Sequence, residues 1–226
     1  MRVYYYTAEE FALSNIVNQR IKVSLLDELN DPYEFLGIDV SDPEFRAAMK
    51  SGRDLVAKRA GVICFSKSWQ NPIMWAHYGN KHRGICLGFD IEDKHLKEVE
   101  YLSDLVQPEV NMELKAGGLP PHFFERLLNL KYKGWSYEDE LRVHVPLDER
   151  HPTGYYFTDF AGNMELKEVI LGPRCLVSIE DVKKHLHAYM QSVTVFKSRI
   201  AFKNYMVVRN RAEPEYVHKS LTNCST

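Results

Sequence analysis

The chemistry of this chain concentrates in Trp135-Ser136-Tyr137-Glu138-Asp139-Glu140-Leu141-Arg142. Read as a strand from Glu138 to Val145, the segment puts Glu138, Glu140, Arg142 and His144 on one face. Leu141, Val143 and Val145 take the other. Paired carboxylates on a cleft wall can hold a ribose hydroxyl and stabilise a cationic sugar transition state. Trp135 and Tyr137 add aromatic surface beside them, which suits a flat ligand ring. The same face also reads as a solvated sheet surface with cross-strand ion pairs.

Four further places carry candidate groups. In Asn30-Asp31-Pro32-Tyr33-Glu34, an Asx turn explains the residue types locally, and Asn30 or Asp31 can also grip a ligand from that loop. Ser66 closes the apolar run Cys64-Phe65, either as an ordinary strand-end serine or as a polar contact to a ribose or amide. Trp75 and Tyr78 are three apart, so on a helix they share a face, as core or as a stacking platform for nicotinamide or adenine. His77 beside them reads first as a structural histidine. No metal site is expected, because His185 and His187 diverge on a helix. A cysteine nucleophile is not expected either, because Cys64 lies inside an apolar strand. There is no P-loop and no GxGxxG.

The elements that must position these groups are short. A strand is expected over Arg2–Tyr6, followed by a helix capped by Thr7 with Glu10 reaching back. That helix presents Ala12, Leu13, Ile16 and Val17 on one face. Arg20–Leu25 alternates as a half-buried strand. Asp42-Pro43 and Asn71-Pro72 each open a helix with proline at its first position. Gly61–Ser66 and Gly84–Asp90 are apolar strands, and Phe123–Leu130 reads as helix. Later strands are expected at 155–158, 168–171, 194–197 and 201–208, with a helix from about 179 to 191. Strands and helices do not alternate regularly, which favours α+β over a doubly wound sheet. No linker divides the chain, so residues 1–210 read as a single domain, with a frayed tail at 211–226.

With 226 residues, 45% hydrophobic and 27% charged, the chain has the composition of an ordinary globular protein. A net charge of -2 makes no bulk case for nucleic acid, although folding can gather a local basic patch. No apolar run approaches the ~18 residues of a membrane span, and no signal peptide is expected. Four separated cysteines (Cys64, Cys86, Cys175, Cys224) without a CxxC pair fit reduced thiols in a cytoplasmic protein.

Several segments taken together resemble a bacterial family of uncharacterised proteins. They are Tyr4-Tyr5-Tyr6-Thr7, the Asn-Asp-Pro-Tyr-Glu turn, and Cys-Phe-Ser with the following Met-Trp-Ala-His-Tyr-Gly and Gly-Ile-Cys-Leu-Gly-Phe-Asp. The last is Trp-Ser-Tyr-Glu-Asp-Glu-Leu-Arg. The resemblance spans roughly residues 1–172. That family is in turn similar to a distant branch of the ADP-ribosyltransferase superfamily, with its split, mostly antiparallel sheet and central cleft. Two features depart from the superfamily pattern. Tyr5 stands where histidine or arginine is usual, and the Ser-Thr-Ser form of the second motif is absent.

The resemblance implies NAD+ as substrate and no metal. It places Glu140 at the catalytic glutamate and gives Glu138 the task of orienting or deprotonating the acceptor. Tyr5, Tyr6, Thr7, Asn30, Asp31, Ser66, Trp75, Tyr78 and Arg142 would then bind the cofactor. The implied protein is an NAD+-dependent ADP-ribosyltransferase, a toxin or anti-phage defence effector, with NAD+ hydrolysis as a variant. Its acceptor is a macromolecule or small molecule, nucleic acid entering only as acceptor, and an inhibitory partner protein is compatible with such a role. The alternative is a non-catalytic nucleotide-sensing or protein-binding module on the same fold.

Overall fold

The computed structural model describes residues 1–108, 121–160, 162–187 and 192–219. The architecture is mixed α+β, with a large, mostly antiparallel sheet and several helices. In chain order the strands are β1 (Arg2–Thr7), β2 (Arg20–Val23), β3 (Ala60–Ser66), β4 (Ile85–Ile91), β5 (Lys97–Glu98), β6 (Glu100–Leu102) and β7 (Leu130–Tyr132). They continue as β8 (Glu140–Pro146), β9 (Tyr156–Asp159), β10 (Met164–Leu171), β11 (Val193–Ile200), β12 (Val207–Arg209) and β13 (Tyr216–His218). The helices are α1 (Glu9–Asn18), α2 (Pro43–Ala57), α3 (Pro72–His77), α4 (Pro121–Leu127) and α5 (Ile179–Lys183). Contacts group the chain into two compact units. The first is Met1–Ile21, Phe65–Lys94 and Asp159–Thr226, and the second is Lys22–Cys64 and His95–Thr158.

In the first unit, β1 and β4 run antiparallel from Arg2↔Asp90 to Thr7↔Ile85. β10 flanks β4 antiparallel, and β11 lies parallel to β10. The β4 run Ile85-Cys86-Leu87 is buried throughout, and so is Phe89. It has no polar alternation because neither face of this strand is given to water. Arg2 ties neighbouring strands together, with Nε donating to Asp90 at 2.6 Å and a guanidinium nitrogen 3.0 Å from Glu168. Thr7 is not the helix cap that its position beside Glu10 suggests. It is the last residue of β1, and Ala8 precedes the helix without a side-chain cap. Sheet pairing engages Thr7 through the end of the strand, so the helix starts one residue later. On α1, Ala12, Asn15 and Ile16 are buried, and Val17 is exposed.

In the second unit, α2 starts as its sequence predicts, with the Asp42 carboxylate accepting from the Phe45 amide at 2.8 Å and proline following the cap. Phe45 and Met49, four apart, bury one stripe of this helix against Phe35, Ile38, Leu127 and Leu130. Phe35 stacks on Phe124 with centroids 5.7 Å apart. β6 and β7 pair in parallel, and β5 and β8 pair antiparallel through Lys97↔Arg142 and Glu98↔Leu141.

Several boundaries differ from the sequence expectations. The helix expected to reach Leu130 ends at Leu127, because Leu130–Tyr132 pair with β6. The strand expected from Glu138 begins at Glu140. Lys133–Glu138 form a 3-10 turn, and Asp139 adopts φ 45° to leave it. The 201–208 strand is instead a hairpin loop followed by β12, because the hydrogen bond from Ala201 N–H to the Met206 carbonyl closes the turn. α5 ends at Lys183, and residues 188–191 of the helix expected there lie outside the described residues. Within the segment expected as a tail, Tyr216–His218 pair with β11, and residues 220–226, including Cys224, lie outside the described residues. No helix of the described residues is long and apolar enough to cross a membrane.

Candidate functional site

Glu138, Glu140 and Arg142 do come together, but in the interior of the second unit. Two residues not expected from sequence join them, Glu34 and Lys131. All five are 1–6% exposed. Four local devices supply them. Glu34 leaves the Asn30–Glu34 turn, in which the Asp31 carboxylate accepts from the Tyr33 amide at 2.9 Å, as an Asx turn requires. Lys131 is the centre of the three-residue strand β7. Glu138 ends the 3-10 turn, and Glu140 and Arg142 occupy alternate positions at the start of β8.

Donors and acceptors match closely. Arg142 donates Nε to Glu140 at 2.8 Å and both terminal nitrogens to Glu34 at 2.7 and 2.9 Å. Its remaining bonds go to the Leu128 carbonyl at 2.6 Å and to Glu140 at 3.2 Å. These five contacts match the five N–H groups of a guanidinium. The Lys131 ammonium lies 2.5 Å from Glu138, 3.0 Å from Glu140 and 3.3 Å from Glu34, one carboxylate for each of its protons. The Tyr101 hydroxyl accepts from the Glu140 amide at 2.9 Å.

Burial alone would push Glu140 toward its neutral form. The charge and hydrogen bonds of Arg142, then the charge of Lys131, outweigh it and hold the carboxyl at about 2. Lys131 and Arg142 are likewise disfavoured as cations by burial. The surrounding glutamates more than reverse that, and both stay above their ordinary values. Burial, then the Glu140 charge, drives the Cys64 thiol well up, away from nucleophile chemistry. With every group ionised, three carboxylates face two cations, a formal surplus of one negative charge. Lys131 also contributes to the lining of a depression of about 330 Å³ with Tyr33, Leu102, Leu105, Leu130 and Tyr132. Trp135 sits beneath the ammonium, 5.4 Å from ring centroid to Nζ.

The other candidates divide between the units. Asn30 and Asp31 belong to the second, and Asp31 is buried with its Oδ2 oxygen unpartnered. Tyr5, Tyr6, Thr7, Ser66, Trp75 and Tyr78 belong to the first. Trp75 is core rather than an open stacking platform. It is fully buried, donates to the Trp69 carbonyl at 2.6 Å and meets Tyr6 edge-to-face at 5.1 Å. Tyr6 is buried, with its hydroxyl donating to the Ser68 carbonyl at 2.9 Å. Ser66 is buried and accepts from the Ser68 amide at 3.3 Å. Tyr5 packs edge-to-face on Phe65, and Tyr78 is half-buried at the end of α3.

Sequence reasoning passed over Glu34 and Lys131. Glu34 stood in a motif already singled out, but its turn residues had a sufficient local explanation. A signal for Lys131 existed in one lysine between Leu130 and Tyr132, seven residues before Glu138. Among the described residues, no group of three or more His, Cys, Asp or Glu side chains is arranged to hold a metal ion. Within the glutamate cluster, the Lys131 ammonium already occupies the point of convergence.

Residues 74–105 match a family described as a protein of unknown function (DUF2971). The matched stretch holds two of the segments that carried the resemblance, Met74–Gly79 and Gly84–Asp90. No curated protein and no solved structure matches the chain.

Proposed function

We propose that the chain is an NAD+-dependent ADP-ribosyltransferase, with the Glu34, Glu138 and Glu140 cluster as the charge that stabilises the reaction. The observation that carries this reading is convergence: three carboxylates, in formal excess over their cations, meet at one cationic point occupied by Lys131. Departure of nicotinamide from the ribose generates an oxocarbenium-like transition state, and preorganised carboxylates lower its energy. Glu140 would hold the ribose 2′-hydroxyl and Glu138 would serve the acceptor, a general-base role worth ~10²–10⁴-fold. The depression lined by Tyr33 and Tyr132 has the volume of a small-ligand site and leads to Lys131. Substrate must displace the Lys131 ammonium from Glu138 and Glu140, so this arrangement is a resting state of the site.

A second reading has its own observation. All eight N–H donors of Lys131 and Arg142 have acceptors, and the five side chains are buried. A saturated buried network of this kind specifies a unique packing. On that reading the cluster organises the second unit, and the protein is a binding module for a nucleotide or a protein.

Incubating the full chain with NAD+ and lysate, and following nicotinamide and ADP-ribose adducts by mass spectrometry, separates the two. Transfer predicts nicotinamide release by the wild type, its loss in Glu140→Gln and loss of the adduct in Glu138→Gln, each variant read beside its melting curve. Release that survives in Glu138→Gln and Glu140→Gln alike would remove this cluster from the chemistry. No release, together with stabilisation of the chain by NAD+, would favour the binding module.

A further inference from the structure

A second surface, in the first unit, has a different chemistry. β11 and β12 form a hairpin paired through Ser198↔Arg209, Arg199↔Val208 and Ile200↔Val207. Its tip, Phe202-Lys203-Asn204-Tyr205, projects two aromatic rings into solvent, with Phe202 89% and Tyr205 97% exposed. The tip is ordered by the hydrogen bond from Ala201 N–H to the Met206 carbonyl at 2.9 Å. Leaving Phe202 uncovered runs against the usual burial of phenylalanine.

The hairpin borders a depression of about 570 Å³ whose described lining carries Arg199, Lys203, Arg209 and Arg211 and no carboxylate. Four cations are thus gathered on one face of a chain whose net charge is -2. Glu215, outside the lining, pairs with Arg209 and offsets part of that charge. Trp69 adds a half-buried indole to the floor, held edge-to-face on Phe196 at 5.5 Å. The Arg199 guanidinium lies 4.1 Å from the Phe202 ring centroid, so this ring is backed by a cation.

Exposed rings interleaved with cations, around an open depression, match what a flexible chain of stacked bases and phosphates requires. Bases stack on aromatic faces without regard to sequence, and the cations follow the backbone. A duplex offers no unstacked base faces to the two rings. We propose that the β11–β12 hairpin is a binding surface for single-stranded nucleic acid.

The test is fluorescence anisotropy of labelled oligo-dT and oligo-rU, about twelve nucleotides long, titrated with the full chain. Binding is expected at low salt and should weaken by ~20- to 50-fold as salt rises from about 50 to 200 mM, the dependence for three to four neutralised phosphates. Phe202→Ala with Tyr205→Ala should weaken it at least about five-fold with an unchanged melting temperature, since both rings project into solvent. Lys203→Glu with Arg211→Glu should flatten the salt dependence. Absence of binding at low salt would overturn the proposal. So would indifference to the aromatic substitutions, equal affinity for a duplex of the same length, or equal competition by polyglutamate, which would mark the patch as a general polyanion or acidic-peptide surface.

Discussion

Arg142 illustrates what a buried charge needs. Its guanidinium spends every N–H on Glu34, Glu140 and the Leu128 carbonyl. Removing it would leave two glutamates buried with Lys131 as the cation that still touches both, and breaking a buried pair this way costs ~3–5 kcal/mol. Arg142→Ala should therefore lower the free energy of unfolding by about that much in urea denaturation. Arg142→Lys should recover well under half of it, because an ammonium has neither the planar fork nor the fifth donor. Equal stability of the lysine variant and wild type would mean that net charge, not the pattern of donors, matters here. Glu140→Gln carries a stability cost for the same reason, so its loss of activity is interpretable only beside a melting curve.

At the scale of elements, close approaches of backbone set the limits. Gly84 immediately precedes β4, where a Cβ would lie 2.1 Å from the Thr7 carbonyl oxygen and 2.9 Å from the backbone of Gly79. Gly84 N–H also donates to the Gly79 carbonyl at 2.8 Å, closing the turn Asn80–His82, whose three residues all have positive φ. Gly84→Ala cannot relieve these contacts by rotating a side chain. It should destabilise the protein by about 3 kcal/mol, the upper end of overpacking penalties, read as a lowered midpoint in thermal or urea unfolding. Helix starts behave differently. Asp42 and Asn71 cap α2 and α3 through contacts two or three residues away, and both starts were legible from Asp-Pro and Asn-Pro alone.

For the whole molecule, the relevant quantity is acid stability. Glu140 is held at about 2 in the folded protein against an ordinary 4.5. A folded-state value below the unfolded one contributes stability that is fully present above about 4.5 and is lost as pH falls toward 2. Asp90, lowered by its bond to Arg2, acts in the same direction. The midpoint of urea unfolding should hardly change from neutral pH down to about 5 and should then fall steeply. In Glu140→Gln the acid limb should be shallower. An unchanged limb in that variant would show that other carboxylates dominate acid unfolding.

Sequence by itself determined the mixed α+β class, the proline-started helices, the apolar strands Gly61–Ser66 and Gly84–Asp90, and the grouping of Glu138, Glu140 and Arg142. All of these rest on local physics: side-chain period, capping chemistry and the hydropathy of short runs. Tertiary structure decided what those patterns could not encode. Whether a charged strand face meets water or other charges depends on partners far along the chain, and Glu34 lies 108 residues from Arg142. Trp75 reads the same at sequence level as platform or core, and only packing against Tyr6 makes it core. Thr7 satisfied a capping pattern, yet the ladder to β4 extended the strand through it. The basic hairpin face was invisible in a balanced net charge, because Arg199, Lys203, Arg209 and Arg211 become one surface only when β11 turns back on itself.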